Sequence, residues 1–511
     1  MRARRVVAAL AGLLALLLAG CAPIPQSADS AAAAGEPGTF RYAYELSPSR
    51  LDPHRASISQ DGVTLFPAYD RLVHLSPEGE PVPGLAAAWE WEDALTLRLE
   101  LREGVTFHDG TPFDAAAVRT NIERARTVEG SAVRTELDPV QSVEVRDPRT
   151  VALHLSYPAT SLPAALSDRA GAMISPAALA DPAVDLDQVA VGAGPYRMVE
   201  HRRDELTRFE RFPQYWDPPA AAAQRLEIHH IAESTTRLNA VRTGVVDATR
   251  VPPAMLAQAE ATGLRTEVAG SLNFSYFVLN RSRPIFADVR VRRAINHALD
   301  REAIRQGVYL GHATIEAQPF VEGYWAHHPG LGDEAIRHDP QLARQLLAEA
   351  GHPGGLAFRA VIPTGPDFLP LAEAMQNQLA AVGIDMEIVP AEPDTMGDLM
   401  FVQERYDAMI ASWGPRADPS MTVATRYTAD GFGNPGGHST PRLEELHRQA
   451  LRTLDQQQRA VVLHELVAEV VDQVLEIPVI FPHDVYVTSP RVQGLEPRLM
   501  HRPEFRGVAV S

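Results

Sequence analysis

The densest group of residues with binding chemistry in this chain is Trp413-Gly414-Pro415-Arg416-Ala417-Asp418-Pro419. Tryptophan offers a large, rigid apolar face. Glycine lets another backbone approach closely, and a guanidinium at Arg416 can pair a carboxylate bidentately. Asp418 adds an acidic group two residues on. The set suits recognition of a small charged solute, although the same residues also fit a core ring with a solvated arginine beside it.

Other chemistries find less support. His229-His230 and His327-His328 are adjacent pairs whose side chains diverge on a strand, so they make poor metal ligands. His438 in Gly436-Gly437-His438-Ser439 reads as packed or exposed, and no metal site or cofactor is expected. Neither a His-Glu-x-x-His zinc motif, a Gly-x-Ser-x-Gly nucleophile elbow nor a dinucleotide glycine fingerprint occurs. All 47 basic residues are arginine. Without lysine there is no phosphate-loop point charge and no Schiff-base nucleophile, which excludes P-loop ATPases, pyridoxal-phosphate enzymes and serine-lysine hydrolases. The chain is expected to bind and not to catalyse.

The amino terminus sets the compartment. Arg2, Arg4 and Arg5 precede an apolar run from Val6 to Leu18, the layout of an export signal over residues 1–20. That run falls short of the roughly 20 residues a membrane-spanning helix needs. It ends in Leu18-Ala19-Gly20-Cys21, similar to the bacterial lipoprotein signal, and Cys21 is the only cysteine. The expectation is lipid attachment at Cys21 and an extracytoplasmic body tethered to a membrane. Residues 21–38, rich in Ala, Pro, Ser and Gly, read as a flexible spacer. Without the three signal arginines, 44 basic residues face 65 acidic ones. A nucleic-acid partner is not expected at that net charge.

The elements that must position the binding loop follow from periodicity. Thr96 to Leu101 alternates as a strand, Asp109-Gly110 marks a turn, and Asp114 caps a helix through Ala125. Two short strands follow between Val140 and Leu155. In the second half Val291, Ala294, Ile295, Ala298 and Leu299 share one helical face. From Leu356 strands at Phe358–Ile362, Ile384–Val389 and Tyr406–Ser412 alternate with helices, a βαβαβ order that predicts a parallel sheet. Ligands bind such sheets at the carboxyl ends of their strands, where Trp413 begins a loop.

Six segments in order carry a resemblance: Leu51-Asp52-Pro53-His54, Leu101 to Phe113 (LREGVTFHDGTPF), Gly192-x-Gly194-Pro195-Tyr196, Tyr215-Trp216, Gly244-x-x-Asp247, and Val291-Arg292-x-Ala294-Ile295-Asn296-x-Ala298-x-Asp300. Together they resemble the family 5 solute-binding proteins of ABC importers, which take oligopeptides, dipeptides or nickel. The physical reading of these segments is structural, with His108 a partner in a turn and not a catalytic base. The resemblance implies an α/β, two-lobed periplasmic-binding-protein fold of type II with a central hinge cleft. Lobe I would comprise residues 39–75, 187–265 and 483–511, its extra subdomain 76–186, and lobe II 266–482.

The resemblance also implies a site. Trp413, Gly414, Arg416 and Asp418 would lie in the cleft, and Ser57, Ile58 and Ser59 would offer backbone to an extended ligand. Trp325, beside Tyr324, would wall the cleft or simply pack. Many peptide-binding members carry aspartate where this chain has Arg416, which puts capture of a peptide amine in doubt. The Trp-Gly-x-x-x-Asp-Pro spacing and Arg169, in Leu166-Ser167-Asp168-Arg169, are similar to nickel-binding members that take an anionic chelator. Peptide, chelated nickel and anionic solute therefore stay open. The implied partners are ABC permease subunits with separate ATPase subunits, met by a monomer. A secreted hydrolase and a surface receptor or adhesion lipoprotein are the readings from other classes.

Overall fold

The computed structural model describes residues 38–364 and 368–511. The expected signal at 1–20, Cys21 and nearly all of the spacer lie outside the described residues. No helix among those described is long and apolar enough to cross a membrane.

Two α/β lobes are each built on one sheet. In the first, Thr39–Tyr44 is buried at every position because it is central. It pairs in parallel with Arg225–His230 and Ala248–Val251. Outward from these lie Leu206–Arg211 and Tyr196–Arg202 on one side, and Asp484–Thr488 and Arg265–Ala269 on the other. The second sheet holds six strands in the order Ala313–Thr314, Ile477–Pro482, Phe274–Leu279, Ala408–Trp413, Leu356–Pro363, Ile384–Ala391.

This second sheet is parallel only in part. Leu356–Pro363 runs parallel to Ile384–Ala391 and to Ala408–Trp413, as the alternating order predicts. Phe274–Leu279 inserts antiparallel beside Ala408–Trp413. It arrives from the other lobe and not through a helical crossover, so the βαβ rule does not govern its direction.

A third, four-stranded antiparallel sheet orders Ala86–Asp93, Thr96–Leu101, Thr150–Leu155 and Val140–Asp147. The helix Ala115–Thr127 covers it, its Asp114 side chain accepting from the Ala117 amide at 2.9 Å. Its apolar alternation closes a separate core of Leu97, Leu99, Phe107, Ile122 and Leu153.

Only short segments join the two larger sheets where strands pass between them. Ala269 pairs with Asp484 at the end of the first sheet, and Ser275 pairs with Ile480 at the start of the second. The crossings at 270–273 and 483 therefore run side by side. A two-strand crossing with so little chain is a hinge, in which a few residues absorb the rotation of one lobe against the other.

The recurrent segments turn out to be joints. In Gly192-x-Gly194-Pro195-Tyr196 a Cβ on Gly192 would stand 2.2 Å from the Ala68 carbonyl oxygen, and one on Gly194 2.4 Å from that of Pro67. The glycines let the Gly194 and Tyr196 amides donate to those same carbonyls at 2.9 Å each. His108 docks on this joint through a 3.0 Å contact between Nε2 and the Gly194 carbonyl. Burial drives its pKa down to about 4. Asp52 accepts from both terminal nitrogens of Arg124, and His54 lies between Arg124 and the Ala172 carbonyl, which ties the first lobe to the third sheet. Asp247 receives the amide and the guanidinium of Arg41. Arg292 donates to the carbonyls of Phe286, Ala287, Gln473 and Val474.

Gly192→Ala should lower stability by about 1–3 kcal/mol, the usual range for overpacking, read as a lower urea midpoint. Gly354→Ala, where an added Cβ meets nothing within 4 Å, should leave the midpoint unchanged.

Candidate functional site

The loop 414–418 leaves the carboxyl end of Ala408–Trp413, and residues of the first lobe and the third sheet's unit meet it there. A Cβ on Gly414 would lie 3.0 Å from Nε2 of Gln60, a residue of the first lobe. Ala417 is buried against Leu75 and Ala164. Nearby, the Thr160 amide and hydroxyl donate to the carbonyls of Leu451 and Ala450, and Gln456 donates to Glu80 at 2.9 Å.

Within the loop the side chains divide sharply. Trp413 is half-buried, with the Arg416 guanidinium 5.3 Å and that of Arg426 4.8 Å from its ring. The indole thus already carries two cations, so it offers less bare apolar face than its residue type implies. Its buried Nε1 has no hydrogen-bond partner. Arg426 also lies 3.9 Å over Tyr276 and is ion-paired with the buried Glu476, to which Tyr427 donates at 2.9 Å. Asp418 is 4% exposed and fully committed. It caps the helix Pro419–Arg426 through the Ser420 amide and holds Arg459 bidentately at 2.7 and 2.5 Å. That carboxylate has no oxygen left over for a ligand amine. Trp325 sits behind it, 5.4 Å from the same Arg459 guanidinium.

Across the junction, Ser57 and Ile58 are exposed, but their amides donate internally, to the Ser49 hydroxyl and the Asp61 carboxylate. The Ser59 carbonyl accepts from Arg502 at 3.1 Å. Less of this backbone is open to an extended ligand than the resemblance implies. Asp168 is the node here, accepting from the Ser59 hydroxyl at 2.7 Å, Arg502 at 3.0 Å and the Arg169 amide at 2.7 Å. Although burial alone would raise its pKa, Arg502 and Arg169 hold the carboxyl well below the usual range. Arg169 is itself 2% exposed, donating to the Ala56 carbonyl and lying 3.9 Å from Glu136.

Glu136 was not among the residues singled out by sequence. It belongs to a single helical turn, Thr135–Leu137, and its Oε2 is buried without a partner. Burial pushes its carboxyl up to about 7. Arg169 offsets part of that, Asp168 adds to it, and Arg416 lowers it slightly. Arg416 makes no hydrogen bond or ion pair among the described residues. The fold thus brings Ser59 and Arg169 together through Asp168, sets Arg416 over Trp413, and leaves Arg416 within electrostatic reach of Glu136. Asp418 and Trp325 form a separate group around Arg459.

The His229-His230 pair points apart, as adjacency on a strand predicts, whereas His327-His328 lies in a loop. His229 meets Glu227 while His230 turns to Thr207 and the Leu46 carbonyl. No group of three or more acidic, histidine or cysteine residues fit to hold a metal occurs among the described residues.

Residues 80–434 match the family described as bacterial extracellular solute-binding proteins, family 5. The glutathione-binding protein GsiB of Pectobacterium atrosepticum is 27% identical over 471 residues, 88% of this chain and 87% of that protein. The fold is shared with DppA of Helicobacter pylori in complex with the peptide STSA, at TM-score 0.81 and 23% identity over 92% of this chain and 98% of that one. NikZ of Campylobacter jejuni, in complex with Ni(L-His), superposes at TM-score 0.80 and 21% identity over 92% and 97%.

Because the folded-state pKa of Glu136 lies above its unfolded value, ionising it in place costs stability. The penalty is complete above about pH 7 and gone below about pH 4.5. Glu136→Gln should therefore raise the melting temperature at pH 8, by a change worth up to about 3 kcal/mol, and leave it unchanged at pH 4. A gain that is equal at both pH values would show that ionisation is not its cause.

Proposed function

The chain belongs to the bacterial extracellular solute-binding proteins of family 5, and on that premise we propose that it captures peptides or similar small solutes for an ABC importer. Solute would be taken in the junction between the lobes and delivered to the permease, with ATP hydrolysed on a separate subunit. The observation that carries this reading is the approach of Gly414 in one lobe to Gln60 in the other, beside Arg416 and Glu136. Groups from both lobes can then hold one solute and release it when the lobes part.

The units that move would be residues 39–75, 187–265 and 483–511 against 266–482, with 76–186 carried on the first. GsiB and DppA, named for glutathione and seen with a peptide, support a peptide-like cargo. The protein would act as a monomer, held outside the cytoplasm by a lipid on Cys21. With Cys21→Ser, the protein should leave the membrane fraction and appear soluble when cells are fractionated. If the variant stays membrane-bound, the anchor is elsewhere.

Binding is tested by melting the full chain in detergent against di- to hexapeptides, glutathione, nickel with and without histidine, and small anionic solutes. A ligand at a hundred times its dissociation constant adds about 2.7 kcal/mol and raises the midpoint. A shift with peptides or glutathione is expected. A shift only with nickel and histidine would move the cargo to a chelated metal, and no shift across the panel would overturn solute capture.

A further inference from the structure

Most charges around the interlobe junction are already answered. Asp418 is paired with Arg459, and Arg426 with Glu476. Asp168 holds Arg502 and Ser59, and Arg169 donates to the Ala56 carbonyl beside Asp168. Two opposite charges from different parts of the fold are left over. Glu136 keeps Oε2 buried and unpartnered, and among the described residues the one cation within 4 Å of it is Arg169, at 3.9 Å from the other oxygen. Arg416 lies close enough to act on Glu136 electrostatically, yet the two do not meet in an ion pair. The buried Trp413 Nε1–H has no acceptor.

A buried carboxylate oxygen without a donor is costly, and a native structure that keeps one has a use for it. Resting on the solute-capture reading above, we propose that Glu136 is a specificity-determining, ligand-contacting residue. With Arg416 it selects a solute bearing both a protonated amine and a carboxylate.

The ammonium donates to Glu136 from the side of the third sheet's unit. The carboxylate accepts both arms of the Arg416 fork from the second lobe. Trp413 Nε1 donates to a ligand oxygen. The charges of Glu136 and Arg416 sum to zero, so a zwitterion neutralises both, whereas a simple anion or cation leaves one of them unanswered. Arg416 and Glu136 sit on opposite sides of the hinge, so one such solute bridges the parts that move. The resemblance assigns no role to Glu136, and Asp418 has its carboxylate committed elsewhere.

The test is titration calorimetry on the full chain in detergent with the dipeptide Ala-Leu, its N-acetyl form and its C-terminal amide, and with glutathione. Blocking either end of Ala-Leu should weaken binding to the native chain tenfold or more. Glu136→Gln should weaken free Ala-Leu by a similar factor while leaving the N-acetyl form unaffected, and Arg416→Gln should do the same with respect to the amide. Glu136→Gln is nearly isosteric, and its melting curve at pH 8 verifies folding. The proposal is overturned if the native chain binds Ala-Leu or glutathione but Glu136→Gln binds equally well, or loses free and acetylated peptide alike. It is also overturned if only nickel with histidine or a simple anion binds. If the native chain binds nothing in the wider panel, solute capture itself fails, and this assignment fails with it.

Discussion

Buried guanidinium groups hold this fold together, and their pairing constrains everything else. Lysine is absent, so each interior cation is a planar fork with five donors and not a point charge. Arg292 gathers four carbonyls from two helix ends, and Arg237 gathers those of Ile231, Ala232 and Arg250. Arg301 binds the Pro478 carbonyl and the side chain of Asn296. A compact ammonium could not span such sets. Whatever the origin of the arginine bias, the loops of both lobes now depend on that geometry.

The same rule makes the interlobe junction interpretable. In a medium that penalises unpaired charge, pairing must be near complete, and the exceptions carry information. Asp418 looked available in sequence but spends both oxygens on Arg459 and a helix cap. Arg426, which sequence did not pick out, neutralises Glu476 and occupies the neighbourhood of Trp413. Once these pairs are formed, Arg416 and Glu136 remain. They stand on opposite sides of the crossing at residues 270–273 and 483.

Much of the architecture was legible because it rests on local rules. The Asp114 cap accepts from the Ala117 amide. Gly244, in one of the segments that carry the resemblance, has φ +76, in the left-handed region that glycine tolerates. Periodicity located the three strands between Leu356 and Trp413 to within a few residues. Periodicity did not show that Phe274–Leu279 would enter the second sheet antiparallel, because strand direction depends on the route by which the chain returns from the other lobe.

By itself, the sequence determined the family, the α/β class and the loop that begins at Trp413, since each follows from residue types at short, fixed spacings. It also ruled out the lysine-dependent chemistries by composition alone. Tertiary structure decided which of the candidate charges are spent and which are free. Asp418 and Arg459 are 41 residues apart, and Glu136 and Arg416 come from different parts of the fold. A charge is neutralised by whatever folding brings within a few ångströms, and no local pattern around Thr135-Glu136-Leu137 records that one oxygen of its carboxylate would be buried without a hydrogen-bond partner.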